Sequence, residues 1–260
     1  MSTTELIVLI IIFLLTSIVG VVTGSNSLIA VPAMFQVGID EKVAIATNMF
    51  GLTFMAVGGT IPFLRQGKIE ARKLTPLIVL TLIGSALGAL LVGYITNQSI
   101  RLIVSIAMFV VVGLTLLKPR AGKSAERENH AALRAPLLRS EGSYLGLSIV
   151  FLLAIYGGLY SGGYVTILTA AFVAFMGMDY AGSVGSTKLV NVFSSGVATV
   201  VFMWQGLVDY SLGAILAVTM FAGAYVGAHY ASKMNEVWLK RIFLGAVVFL
   251  AIKTLYDLAV

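Results

Sequence analysis

Tyr180-Ala-Gly-Ser-Val-Gly-Ser-Thr-Lys188-Leu-Val-Asn191-Val-Phe-Ser-Ser-Gly-Val-Ala-Thr-Val-Val-Phe-Met-Trp204 is a long apolar run with one charge, Lys188. The nearest end of the run, Asp179, is about nine residues away. At about 1.5 Å per residue, Lys188 would lie roughly 13 Å deep in a hydrocarbon core about 30 Å thick. A charge at that depth costs about 2.5–3.5 kcal/mol on insertion scales, and such residues mark ligand or ion paths. The run predicts a membrane-spanning helix whose lysine meets an anion.

Outward from this helix, the composition agrees. Of 260 residues, 59% are hydrophobic and 11% charged, with a mean hydropathy of +1.01, far from ordinary soluble domains. Segments near 5–23, 42–64, 74–95, 99–117, 143–160, 181–204, 209–231 and 238–256 are long enough, or nearly so, to span. A soluble core would need polar helix faces, yet Ile7–Leu15 and Ile103–Leu117 are apolar all round. The expected fold is an all-α polytopic integral membrane protein. Ser2-Thr3-Thr4-Glu5 lacks the basic region of a cleavable signal, so the first hydrophobic stretch is expected to stay as the first helix.

With no cysteine and only His130 and His229, disulfides, thiolate metal sites and a His-rich metal site are not expected, and no cofactor is implied. The net charge of +6 comes mostly from loops. Lys118, Arg120, Lys123, Arg127, Arg134 and Arg139 cluster in 118–142, which reads as a solvated cytoplasmic linker and not a nucleic-acid patch. It divides the chain into a first transmembrane unit, 1–117, and a second, 143–260.

The two units are related. A constant shift of 139 residues aligns Gly38 with Gly177, Asp40 with Asp179, Gln66-Gly67 with Gln205-Gly206, Gly84 and Gly88 with Gly223 and Gly227, and Thr115 with Thr254. Chance matches in apolar sequence favour Leu, Ile and Val, whereas these are largely Gly, Gln and Asp. Just upstream the shift becomes 138, pairing Gly24 with Gly162. Two homologous halves are the usual chassis of a secondary transporter.

Hydrophobic runs 5–37 and 143–178 are too long for one span, about 50 Å as a straight helix. They are expected to break at Gly24-Ser25-Asn26 and Ser161-Gly162-Gly163, leaving short helices at about 27–37 and 164–177. Unwound backbone within a membrane is tolerated where protein or a watery cavity satisfies it. The N–H groups at the starts of such half-helices suit an anion. The bland alternative is that these glycines allow close packing or a turn. Gly84/Gly88 and Gly223/Gly227 have small-xxx-small spacing and read as packing sites.

Basic residues swap between equivalent loops. Arg65, Lys68, Arg72 and Lys73 follow the second long helix and the next loop holds Arg101, while in the second half Lys233, Lys240 and Arg241 fall in the later loop. Such a swap favours inverted halves under the positive-inside rule. If each short helix crosses, there are ten segments and the halves are inverted. If each re-enters, there are eight spans and the halves are parallel.

Together these residues resemble the TauE/SafE sulfite exporter family. The resemblance rests on the Gly-rich segment from Gly24 to Pro32, Ala44-Ile45-Ala46-Thr47-Asn48, a Gln-Gly turn, a Gly-xxx-Gly helix, a basic linker, and the repeat ending in Gly185-Ser186-Thr187-Lys188-Leu189-Val190-Asn191. It implies an exporter or permease for sulfite, sulfoacetate or related small anions, in the inner (plasma) membrane of the cell. The sequence departs from the fuller glycine-rich pattern at Ser25-Asn26.

The candidate site comprises Ser186, Thr187, Lys188 and Asn191, with Thr47 and Asn48 at the positions equivalent to Ser186 and Thr187, and the two breaks, Gly24, Ser25, Asn26, Ser161, Gly162 and Gly163. Lys188, Asn191 and Ser194/Ser195 follow helical spacing and form one polar stripe. The lysine offers three donors, and hydroxyl and amide groups can bond sulfonate or carboxylate oxygens. In the alternative, Lys188 pairs with a backbone carbonyl or snorkels to the surface. Asp40 and Asp179 read as helix caps before gates. No carboxylate falls at mid-depth and no ATP-binding motif of the G-x-x-x-x-G-K-[ST] type is present. The expected partners are a small anionic substrate, the lipid bilayer and a coupling ion, proton or sodium, with a homo-oligomer left open. A membrane-embedded enzyme and a metal-cation permease are the competing classes. The first lacks a nucleophile–base set, and a buried lysine opposes the second.

Overall fold

The computed structural model describes residues 1–24, 26–65, 74–117, 144–176, 178 and 180–230, and near the C-terminus 245, 247–250, 252–254 and 256. All regular structure among them is helical. The first half carries α1 (Thr3–Thr23), α2 (Ser27–Gln36), α3 (Glu41–Arg65), α4 (Thr75–Tyr94) and α5 (Asn97–Leu117). The second half carries α6 (Tyr144–Leu159), α7 (Tyr164–Met176), α8 (Tyr180–Trp204) and α9 (Tyr210–Tyr230), and residues 247–250 and 252–254 are also helical. The linker 118–142 lies outside the described residues.

Local chemistry sets the ends. Ser2 and Glu5 form a reciprocal capping box that starts α1. The helix stops at Gly24, whose φ of 77° is left-handed and whose N–H reaches Gly20 O. Asp40 caps α3, accepting from the N–H groups of Lys42 (3.0 Å) and Val43 (3.3 Å). At that same end Asn97 Nδ2 donates to Asp40 (2.6 Å), Lys42 Nζ donates to Gly93 O (3.0 Å), and the Arg101 guanidinium pairs with the buried Glu41 carboxylate. The start of α3 is thus tied to the α4–α5 connection.

Among the described residues, five helices are long and apolar enough to cross a membrane: Thr3–Val21, Glu41–Pro62, Thr75–Tyr94, Gly182–Trp204 and Tyr210–Tyr230. Helix α4 shows how the bundle suits lipid. Val79, Ile83, Leu87 and Leu91 are exposed on one face, while Thr81, Gly84, Ser85 and Gly88 are buried on the other. Large aliphatic groups outside and small or hydroxylated ones inside reverse the pattern of a water-soluble helix, because lipid tails give no drive to bury Leu or Ile. The chain is a multi-pass membrane protein.

Helices α3 and α8 form the centre. They pack on each other, α3 also packs on α9, and α8 on α4. Outside them α4 packs on α6, and α1 on α9. Both outer contacts use the paired glycines. A methyl group at Gly88 would overlap the Ile155 carbonyl, and one at Gly227 the Ile18 carbonyl. Likewise Gly84 lies on Phe151 and Ala154, and Gly223 on Leu14 and Ser17. The matching partners in α1 and α6 differ by 137 residues, against 139 for the glycines. The breaks correspond too, since Gly20 packs on Asn26 and Gly157 on the Tyr164 ring. Asn26 and Tyr164 each anchor the start of a half-helix in its own half.

Candidate functional site

The half-helices begin at Ser27 and Tyr164, within a residue of the expected starts, and their starting ends meet. Ser27 Oγ and Ser161 Oγ are 2.7 Å apart, Tyr160 Oη donates to Ser27 O (3.0 Å), and a Cβ added at Gly24 would lie 3.0 Å from Thr166 Oγ1. Asn48 Nδ2 donates to Ser27 Oγ (2.9 Å), which links α3 to the junction. The two breaks share one polar knot because each exposes backbone and hydroxyl groups that no lipid could satisfy.

Beside the knot lies a cavity of about 40 Å³. Its polar lining comes from Asn26, Ser27, Ser161, Lys188 and Asn191, and Gly20, Val21, Gly24, Leu52, Met55 and Val165 also border it. That volume admits a few water molecules. Lys188 is 8% exposed and its Nζ donates to Val21 O in the last turn of α1, at 2.5 Å. The lysine therefore pairs with a backbone carbonyl and also lines the cavity. Asn26 donates to Ser17 Oγ (3.1 Å) and Met55 Sδ (3.0 Å), leaving its Oδ1 without a partner among the described residues. Asn191 Oδ1 and Asn48 Oδ1 are in the same condition. The N-cap residue of α2, Asn26, makes no side-chain bond to that helix's first N–H groups.

Of the residues singled out in the sequence, Gly24, Asn26, Ser161, Lys188 and Asn191 come together around the cavity, and Asn48 stands one hydrogen bond away. Others point elsewhere. Thr187, at the next position to Lys188, is turned by about 100° around α8 and bonds Ser183 O (2.8 Å) and Thr169 Oγ1 (3.2 Å). Ser186 is buried but does not line the cavity. Thr47 Oγ1 accepts from the N–H of Asp209 (3.0 Å) at the start of α9, so it braces a helix connection. Gly162 O accepts from Tyr156 Oη, and Gly163 packs on Val111. Ser194 pairs with Ser85 (2.7 Å) and Ser195 with Asn191 O (2.6 Å) instead of continuing the stripe into the cavity. Asp40 caps a helix at the periphery. Ser25 and Asp179 lie outside the described residues.

Sequence reasoning missed Ser27, Tyr160 and the Val21 carbonyl. Ser27 directly follows the flagged Gly24-Ser25-Asn26 and Tyr160 directly precedes Ser161, so extending each break by one residue would have found them. A backbone acceptor carries no sequence signal. A second, larger groove of about 270 Å³ is lined by Ile103, Ile106, Val110, Leu153, Tyr156 and Ile167 and offers little polar chemistry.

An apolar-skinned helical bundle with two broken helices meeting at a buried polar cavity defines a membrane transporter. The chain belongs to the family described as Sulfite exporter TauE/SafE, which matches residues 9–254. Among its relatives, the "Probable membrane transporter protein ORF9" of Sinorhizobium sp is 25% identical over 236 residues, covering 91% of this chain and 87% of the relative. The "Probable membrane transporter protein YfcA" of Escherichia coli (strain K12) is 24% identical over 250 residues, covering 96% and 89%. The "Probable membrane transporter protein YdhB" of Bacillus subtilis (strain 168) is 26% identical over 240 residues, covering 90% and 94%. No solved structure matches the chain significantly.

Proposed function

We propose that the protein is a secondary transporter of a small anion, a sulfur-containing oxyanion or organosulfonate such as sulfite or sulfoacetate, working by alternating access around the cavity at the two breaks. The observation that carries this reading is the Lys188 ammonium, buried among the helices and lining the cavity where both half-helices begin. The lysine supplies a positive charge and N–H donors at the cavity wall. Ser27 and Ser161 add hydroxyls, and the first turn of α2 adds N–H groups at the positive end of its dipole.

The cavity holds a few waters at most, so loading an oxyanion requires the surrounding helices to part, which alternating access supplies. The halves 1–117 and 143–260 are read as inverted repeats joined by a cytoplasmic linker, 118–142, in the plasma membrane. Export of an anion can draw on the inside-negative potential, worth about 2.3 kcal/mol per charge per 100 mV. The test is flux in proteoliposomes made with the full chain. Wild type should carry one or more of sulfite, sulfoacetate and small carboxylates, and folded Lys188→Gln should lose at least about tenfold of that flux. Transport of a divalent metal in place of every anion would sink the reading.

A further inference from the structure

Lys188 also does something that an anion site does not require. Val21 lies in the last turn of α1, where carbonyls run out of intrahelical partners and the helix carries its negative end. The lysine crosses from α8, in the other half of the chain, to place its ammonium 2.5 Å from that oxygen. Two amide oxygens on the same small cavity, Asn26 Oδ1 and Asn191 Oδ1, have no partner among the described residues, and the residues are only 3% and 5% exposed. A helix-end carbonyl with neutral amide oxygens is a set of ligands that suits a monovalent hard cation, and the ends of broken transporter helices hold sodium in this way.

We propose that the Lys188 ammonium, bonded to Val21 O and to neither amide oxygen, is a tethered cation that stands in for a monovalent metal ion at the end of α1, so that the protein needs no sodium there, and that removing the side chain lets free sodium or potassium settle between the Val21 carbonyl and the two unpartnered amide oxygens. The charge is supplied from one half only. The 139-residue shift places Met49 opposite Lys188 and Leu52 opposite Asn191, and neither offers a charge or an oxygen. The tether keeps a positive charge on α8 beside the end of α1, where a diffusible ion would come and go. This inference does not depend on which anion is carried.

The test uses the purified full chain in detergent, with its thermal unfolding midpoint measured in sodium, potassium and choline chloride at equal ionic strength and with no other anion. Wild type should unfold at the same temperature in all three. Lys188→Ala should unfold earlier in choline and recover by about 3 °C once sodium or potassium exceeds its dissociation constant tenfold. Adding Asn191→Leu to Lys188→Ala should abolish the recovery, and Lys188→Met, which fills the space with an apolar chain, should show none. A wild type stabilised by sodium over choline overturns the proposal, as does Lys188→Ala with equal midpoints in all three salts. Lys188→Ser is the second variant. Failure of both Lys188→Ala and Lys188→Ser to fold even in sodium or potassium also overturns it, since the free ion should replace the tether. Because no transported anion is present, these outcomes are separate from those of the flux assay.

Discussion

Ser27 and Ser161, 134 positions apart in the chain, share a hydrogen bond of 2.7 Å at the point where the two broken helices meet. Ser27 Oγ also accepts from Asn48, so the junction is a short relay running from α3 through α2 to the break before α7. Removing either hydroxyl leaves the other without its partner in a buried setting. Ser27→Ala and Ser161→Ala should each lower stability by about 1–3 kcal/mol, and the double variant by less than the sum. Thermal unfolding of the four proteins in detergent closes the cycle, and strictly additive losses would mean that the contact is not formed.

Gly88 and Gly227 hold the outer helices at backbone contact. Replacing either by Leu should separate α4 from α6, or α1 from α9, and cost about 1–3 kcal/mol or more. Gly113→Ala, at a helical position with nothing within 4 Å of the added carbon, should be neutral or slightly stabilising. Size-exclusion profiles and unfolding midpoints separate the two classes.

Asp40 tests the cap against the gate. Asp40→Ala should lower stability by about 1 kcal/mol through loss of the α3 cap and of the Asn97 bond, with anion flux per folded molecule unchanged. Asp40→Asn should retain most of the stability. A large fall in flux with stability intact would assign the residue to gating.

Gly24→Ala should disturb the junction specifically. Its φ of 77° disfavours any side chain by about 1–2 kcal/mol, and the new carbon would press on Thr166 Oγ1 at 3.0 Å. Flux should fall more than for Gly206→Ala, where φ is 70° but nothing lies within 4 Å. Equal losses at both positions would show that only turn strain matters.

The breaks were legible in the sequence because apolar runs as long as 5–37 and 143–178 cannot each remain one straight span, and Gly24-Ser25-Asn26 and Ser161-Gly162-Gly163 each gather glycine and polar residues at three consecutive positions. The half-helices Ser27–Gln36 and Tyr164–Met176 follow directly. Lys188 and Asn191 were legible as a pair because three residues along a helix keep one face. Membership of Ser186 and Thr187 was not, since adjacent residues of α8 point in directions about 100° apart and polarity alone does not say which one faces the cavity. Thr47 was assigned through the repeat, but its hydroxyl meets the Asp209 N–H, a contact set by how α9 docks on α3. The shift of 137 between α1 and α6 was hidden because those stretches are dominated by interchangeable aliphatic residues, and the packing against glycine shows the register.

Among the described residues, the most extensive helix contacts join opposite halves: α1 with α9, α3 with α8 and α9, and α4 with α6 and α8. During synthesis, then, α1, α3 and α4 enter the bilayer before the helices they pack on most extensively, and α1 must wait until α9 has emerged before the two meet. Assembly is a late event in the life of the nascent chain. A ribosome that stalls in the linker leaves a product in which α1, α3 and α4 lack their main partners, a natural target for membrane quality control.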